Sequence, residues 1–100
     1  MSGEANDLQA DHARALALVE QAGHAITESR FDDSYFGGAW FITFQARSFT
    51  YQLVWDPRDA LLRLDRDPGP SVVEIACRRD TSESSVQALL DLVDPQLAAD

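Results

Sequence analysis

The middle of the chain alternates apolar and polar residues with a period of two, the pattern of strands that bury one face. Segments rich in aromatic and β-branched residues predict strands at 40–46, 49–55, 60–66 and 71–78, and an earlier strand within 25–35. Proline-containing turns at 56–59 and 67–70 separate the later strands. Gly37 and Gly38 lack the spacing of a phosphate-binding loop and predict a loop with unusual backbone angles before Trp40.

Two amphipathic helices are predicted to flank these strands. The first runs over 7–22, with Asn6 as its N-cap, Gln9 reaching back to it, and Gly23 ending the helix. The second runs over 81–93, capped by Asp80 or Thr81. Its apolar stripe has helical spacing and comprises Val86, Leu89, Leu90 and Val93. Residues 1–6 and 96–100 are expected to be flexible tails of one domain spanning 1–100.

Turn lengths predict the register of the sheet. A tight link at 47–48 places Trp40 opposite Trp55 and Ile42 opposite Leu53. Closing the next two turns at 56–59 and 67–70 places Leu53 opposite Leu62, Leu64 opposite Val73, and Ala60 opposite Cys77, all on the apolar side. The predicted fold class is α+β: an N-terminal helix, a four- to five-stranded antiparallel meander and a C-terminal helix, with both helices on one face of the sheet.

The opposite face of this sheet is the strongest functional feature of the sequence. It is mostly polar, with Arg63 predicted opposite Glu74, and an apolar strip of Phe41, Val54, Leu61 and Ala76 crosses one end. An apolar anchor beside a polar field is typical of protein-docking surfaces. Self-association, or coverage of the strip by Tyr35 and Phe36 of the 32–38 loop, are the alternatives. The predicted partner-binding residues are Phe41, Thr43, Gln52, Val54, Leu61, Arg63, Asp32 and Asp33.

The charge of the chain restricts its partners. Seventeen acidic residues and eight arginines give a net charge of -9, and the acidity is concentrated in 1–38 and 80–100. Such a charge repels nucleic acid and anionic membranes, so neither is expected as a partner. A basic or mixed-charge protein is the natural complement. The N-terminal residues have no signal-peptide character, and together with the single cysteine this predicts a cytoplasmic location.

The sequence offers little support for a catalytic or a metal-binding function. Cys77 is the only thiol, and a nucleophilic role would need His12 or His24 as its base. Alternation with Ile75 instead predicts that Cys77 is a buried core residue. His12 is predicted to pack on the face of the first helix, and His24 to bind the last carbonyls of that helix. Aspartates 32, 33, 56 and 59 form no metal-binding pattern, so no catalytic residue, metal or cofactor is predicted.

In size, acidity and architecture, and in the hairpin YQLVWDPRDALLRL at 51–64, the chain resembles the small bacterial immunity proteins of polymorphic and contact-dependent toxin systems. The resemblance implies a non-catalytic domain that neutralises a toxin by occluding its active site. The alternative is a homodimeric secretion-chaperone-like or structural interaction domain. Type III secretion chaperones are also small, acidic and α+β, but they insert a helix between the third and fourth strands, for which 56–60 is too short.

Overall fold

The computed structural model describes residues 3–36, 38–46, 49–66 and 73–93, without the side chains of 3–8 and 73. Its elements follow the chain as α1 (Gly3–Gln21), β1 (Ala25–Asp32), β2 (Ala39–Ala46), β3 (Phe49–Asp56), β4 (Leu61–Arg66), β5 (Val73–Arg78) and α2 (Glu83–Asp91). The five strands form one antiparallel sheet in sequence order. The predicted α+β fold class is therefore confirmed, with the strand from 25–35 present as β1.

Both helices pack on the same face of the sheet. Helix α1 lies against β1 and β2, α2 lies against β4 and β5, and the two helices contact each other. The core between these layers contains Ala15, Leu18, Val19, Trp40, Ile42, Phe44, Ala46, Tyr51, Leu53, Leu62, Leu64, Val86, Leu89, Leu90 and Val93. Neither of these two helices lies on the other side of the sheet, hereafter the outer face.

The helix ends differ from the prediction at both N-termini. Helix α1 begins at Gly3, so Asn6 lies inside it and does not cap it; residues 3–6 are helical, whereas 96–100 lie outside the described residues. Gly23 ends the helix with φ +87°, as predicted. The N-cap of α2 is Ser82, whose side chain accepts a hydrogen bond from the Ser85 N–H. Hydrogen bonds from Ser82 and Ser85 to Asp80 hold the pKa of that carboxyl at about 2.

A set of polar contacts, hereafter the Asp11 bridge, joins α1 to the segment that leads into α2. The Asp11 carboxylate accepts hydrogen bonds from Nη2 of Arg14, at 2.6 Å, and from Oγ1 of Thr81, at 2.5 Å. Arg14 also donates to the Thr81 carbonyl at 2.9 Å. The segment that leads into α2 is therefore fixed to the middle of α1 by side-chain hydrogen bonds as well as by apolar packing.

The strand register is correct for one hairpin and shifted in the next. Trp40 pairs with Trp55 and Ile42 with Leu53, as predicted. In the next hairpin Leu53 pairs with Leu64, not with Leu62, because β3 continues to Asp56 and the turn closes one residue later. Ala60 belongs to that turn, with φ +54°, and does not open β4. The shift is by two residues, so the same side chains still face the core.

The predicted register of β5 is wrong along the whole strand. Near the preceding turn Val73 pairs with Arg66, not with Leu64, which is a shift of two residues that keeps the facing of the side chains. Past a β-bulge at Ile75, Leu64 pairs with Ala76. Because a bulge inserts one residue, it exchanges the two faces of the strand. Cys77 therefore pairs with Arg63 on the outer face and is exposed, instead of lying in the core. Ala76 packs against the core and leaves the predicted outer strip.

Candidate functional site

Hydrogen bonds between side chains hold the polar residues of the outer face in place. Gln52 donates from Nε2 to Oγ1 of Thr43, directly across the β2–β3 pair, at 3.1 Å. Nε of Arg63 donates to both carboxylate oxygens of Asp65, at 3.1 and 3.0 Å. The two-residue register shift and the bulge together place Cys77, and not Glu74, opposite Arg63. Three of the predicted partner-binding residues thus lie on one face and form a fixed polar field.

Beside this field, the outer face contains a groove of about 420 Å³. Phe41 and Val54 form a cross-strand pair on its floor, and both side chains are half-buried. We call this feature the outer groove; its lining residues are Arg30, Asp32, Tyr35, Ala39, Trp40, Phe41, Val54, Trp55 and Asp56. It includes Phe41 and Val54 of the predicted strip, and Asp32 of the two predicted aspartates.

The shape of the outer groove follows from one row of residues across three strands. Asp32 of β1 pairs with Ala39 of β2. Since Trp40 pairs with Trp55, the next position of that register places Ala39 opposite Asp56 of β3. A methyl group therefore lies between two carboxylates, and the small side chain leaves an opening between them. Adjacent strands are about 4.8 Å apart, so the two aspartate backbones are separated by roughly 10 Å.

The two carboxylates of this row are similarly arranged. Oδ1 of Asp32 accepts hydrogen bonds from N and Oγ of Ser34, and Oδ1 of Asp56 accepts from N of Arg58. The Ser34 hydroxyl and N–H hold the pKa of Asp32 below its usual value of 3.8. Among the described residues, neither Oδ2 atom has a hydrogen-bond partner. Each aspartate thus ends a strand in a fixed turn and retains a second oxygen for a ligand.

The remaining predicted residues lie around the outer groove without lining it. Leu61 pairs with Asp56, whereas the residue opposite Val54 is Arg63. Asp33 is exposed in the turn after β1. The 32–36 segment forms one wall of the groove through Tyr35, and Phe36 remains 63% exposed. Within the described residues this segment therefore borders the floor of the groove.

Six lining residues of the outer groove were not among the predicted partner-binding residues: Arg30, Tyr35, Ala39, Trp40, Trp55 and Asp56. The predicted β2–β3 register already places Ala39 opposite Asp56. This part of the row can therefore be predicted from the length of the turn between the two strands. The pairing of Asp32 with Ala39 depends on the β1–β2 register. That register includes a bulge between Ile26 and Glu28, so it cannot be predicted by counting residues along the sequence.

The sheet separates the single thiol from both histidines. Cys77 is on the outer face, whereas His12 stacks on Trp40 and His24 on Phe44, on the helix side. A thiol–imidazole pair needs hydrogen-bond distance, so this geometry provides none. Among the described side chains, no group of three His, Cys, Asp or Glu residues could hold a metal ion.

Comparison with known proteins identified no relatives: no family model, curated protein or solved structure matches the chain. In the part of the chain that the structure describes, neither helix is long and apolar enough to cross a membrane. The outer groove and the charges around it are therefore the features of the chain that indicate a function.

Proposed function

We propose that this chain is a non-catalytic protein-binding domain that docks on its partner through the outer groove. The observation that carries the proposal is the groove itself: an apolar floor of Phe41 and Val54, bordered by charged side chains, on the sheet face opposite α1 and α2. An apolar centre with a polar border is the arrangement found at protein interfaces.

Charge supports a basic or mixed-charge protein as the partner. A net charge of -9 attracts a cationic surface over long distances and raises the association rate, most strongly at low salt. The apolar floor acts at contact, where burial of Phe41 slows dissociation. The fixed Gln52–Thr43 and Arg63–Asp65 pairs next to the groove present oriented polar atoms at little entropic cost.

Within this class, the resemblance in size, acidity and architecture favours an immunity protein, which would occlude the active site of a toxin. An exposed thiol, Cys77, suits a reducing compartment, which supports a cytoplasmic location. Neutralisation by occlusion needs only a tight and complementary surface, so this function requires no catalytic group in the chain.

The test is affinity capture from the native host with the wild-type chain and two variants. Phe41→Asp should lose the captured partner, because a charge on the groove floor would be desolvated in the complex. Gln45→Asp is the matched control, since Gln45 is exposed on the same face of the same strand but does not line the groove. The captured protein is then purified, and the chain should inhibit its activity at equimolar concentration.

Two measurements keep this test decisive. Thermal unfolding must show that Phe41→Asp folds; if it does not, Ala39→Leu fills the groove with an apolar side chain and replaces it. The proposal is wrong if the partner binds the groove variant and the control equally well. Light scattering addresses self-association: a dimer that persists in salt and is dissociated by Phe41→Asp would identify the groove as a homodimer interface and overturn the proposal.

A further inference from the structure

We infer that the outer groove is a receptor for one arginine side chain of the partner, with its guanidinium between Asp32 and Asp56 and its aliphatic stem on Phe41 and Val54. This inference rests on the proposed function and specifies the chemistry that the docking surface recognises.

The spacing of the acidic row fits a guanidinium. Asp32 and Asp56 occupy the outer positions of the row, and Ala39 between them leaves the space into which a side chain can enter. Guanidinium nitrogens can donate to carboxylates on both sides when the backbones are roughly 10 Å apart. The Oδ2 atoms of both aspartates are unpaired among the described residues, so two acceptors are available without breaking either turn.

The floor of the groove suits the rest of an arginine side chain. The row next to the aspartates places Phe41 opposite Val54, and these side chains provide an apolar surface for three methylene groups. Tyr35, 40% exposed at the wall, offers an aromatic ring on which a planar guanidinium can stack. Lysine would fill the same space but lacks the planar fork that reaches two carboxylates at once.

Other occupants fit less well. An apolar side chain would remove water from the carboxylates of Asp32 and Asp56 and offer no hydrogen bonds in its place. An acidic side chain would be repelled by both carboxylates. Among the described lining residues Arg30 is the one cation, and with Asp32 and Asp56 it gives them a net charge of -1. Besides the Ser34 hydrogen bonds, the positive charge of Arg30 contributes to the lowered pKa of Asp32, so Arg30 competes with an incoming cation for that carboxylate. Arg30 should therefore weaken arginine binding.

The test uses N-acetyl-arginine amide as the probe in an NMR titration of the intact chain. We expect saturable shifts of the Ala39 and Val54 amides, and none with the citrulline analogue, which has the same shape without the charge. Asp32→Asn and Asp56→Asn should each weaken the binding about two- to fivefold, the range for a partly exposed ion pair. Asparagine retains the turn-forming oxygen, so both variants should fold.

Two further variants determine whether the position of the charges matters. Asp59→Asn removes the same charge from the same turn outside the groove and should leave the dissociation constant unchanged. Arg30→Gln should tighten binding about two- to fivefold. The inference is overturned if citrulline binds equally well, if Asp59→Asn weakens binding as much as Asp56→Asn, or if the probe gives no saturable shift. If the probe titration gives one of these results and Phe41→Asp still loses the captured partner, the inference about arginine is wrong and the proposed function stands.

Discussion

The His12 imidazole stacks on the Trp40 indole, with ring centroids 5.5 Å apart and planes inclined by 29°. Phe31 lies on the same imidazole, at 6.1 Å. Nε2 of His12 and Nε1 of Trp40 are buried and have no hydrogen-bond partner among the described residues. The helix-face packing predicted for His12 is therefore observed, and its environment is one that disfavours a positive charge.

This environment makes the stability of the fold depend on pH. Burial lowers the pKa of His12 from 6.5, so below that pH the unfolded chain binds more protons than the folded chain. Neutral His12 contributes fully to the free energy of unfolding above pH 6.5. This contribution is lost as the pH falls from 6.5 toward the lower pKa that His12 has in the folded state. We expect His12→Phe, which keeps the stacking, to flatten the pH dependence of the free energy of unfolding in this range. Urea unfolding at several pH values tests this, and parallel curves for both proteins would contradict it.

The centre of the sheet should be the part of the fold most sensitive to truncation. Leu53 is completely buried in β3, between Ile42 and Leu64 on the neighbouring strands. We expect Leu53→Ala to lower the free energy of unfolding by about 2–5 kcal/mol, because it creates a cavity in a packed core. Gln45→Ala on the exposed face is the control and should change it by no more than about 0.5 kcal/mol. Denaturant titration measures both, and equal effects would contradict the assignment of the two faces.

The Asp11 bridge should contribute to the packing of α1 against the start of α2. We expect Asp11→Ala to destabilise the fold by about 1–2 kcal/mol, because Arg14 and Thr81 both lose a hydrogen bond to a charged acceptor. Glu20→Ala on the same helix removes the same charge from an exposed position and serves as the control. If the two variants had the same midpoint of chemical unfolding, the bridge would have no role in stability.

The exposure of Cys77 is directly measurable. Because the bulge at Ile75 places it on the outer face, we expect a thiol reagent to label the native protein fully, without denaturant. Labelling that requires unfolding would show that Cys77 is a core residue and that the bulge is absent. Mass spectrometry before and after denaturation gives the extent of labelling in each state.

The amino-acid pattern determined the fold class, the strands and the apolar face of β2 and β3, because period-two alternation and turn chemistry act locally. It also predicted Phe41 opposite Val54 on the outer face. Only the tertiary structure decided the position of Cys77, since a single inserted residue at a bulge exchanges the faces of a strand and leaves no mark in the sequence pattern. The same reason applies to the outer groove: Asp32, Ala39 and Asp56 are far apart in sequence, and strand pairing alone brings them into one row.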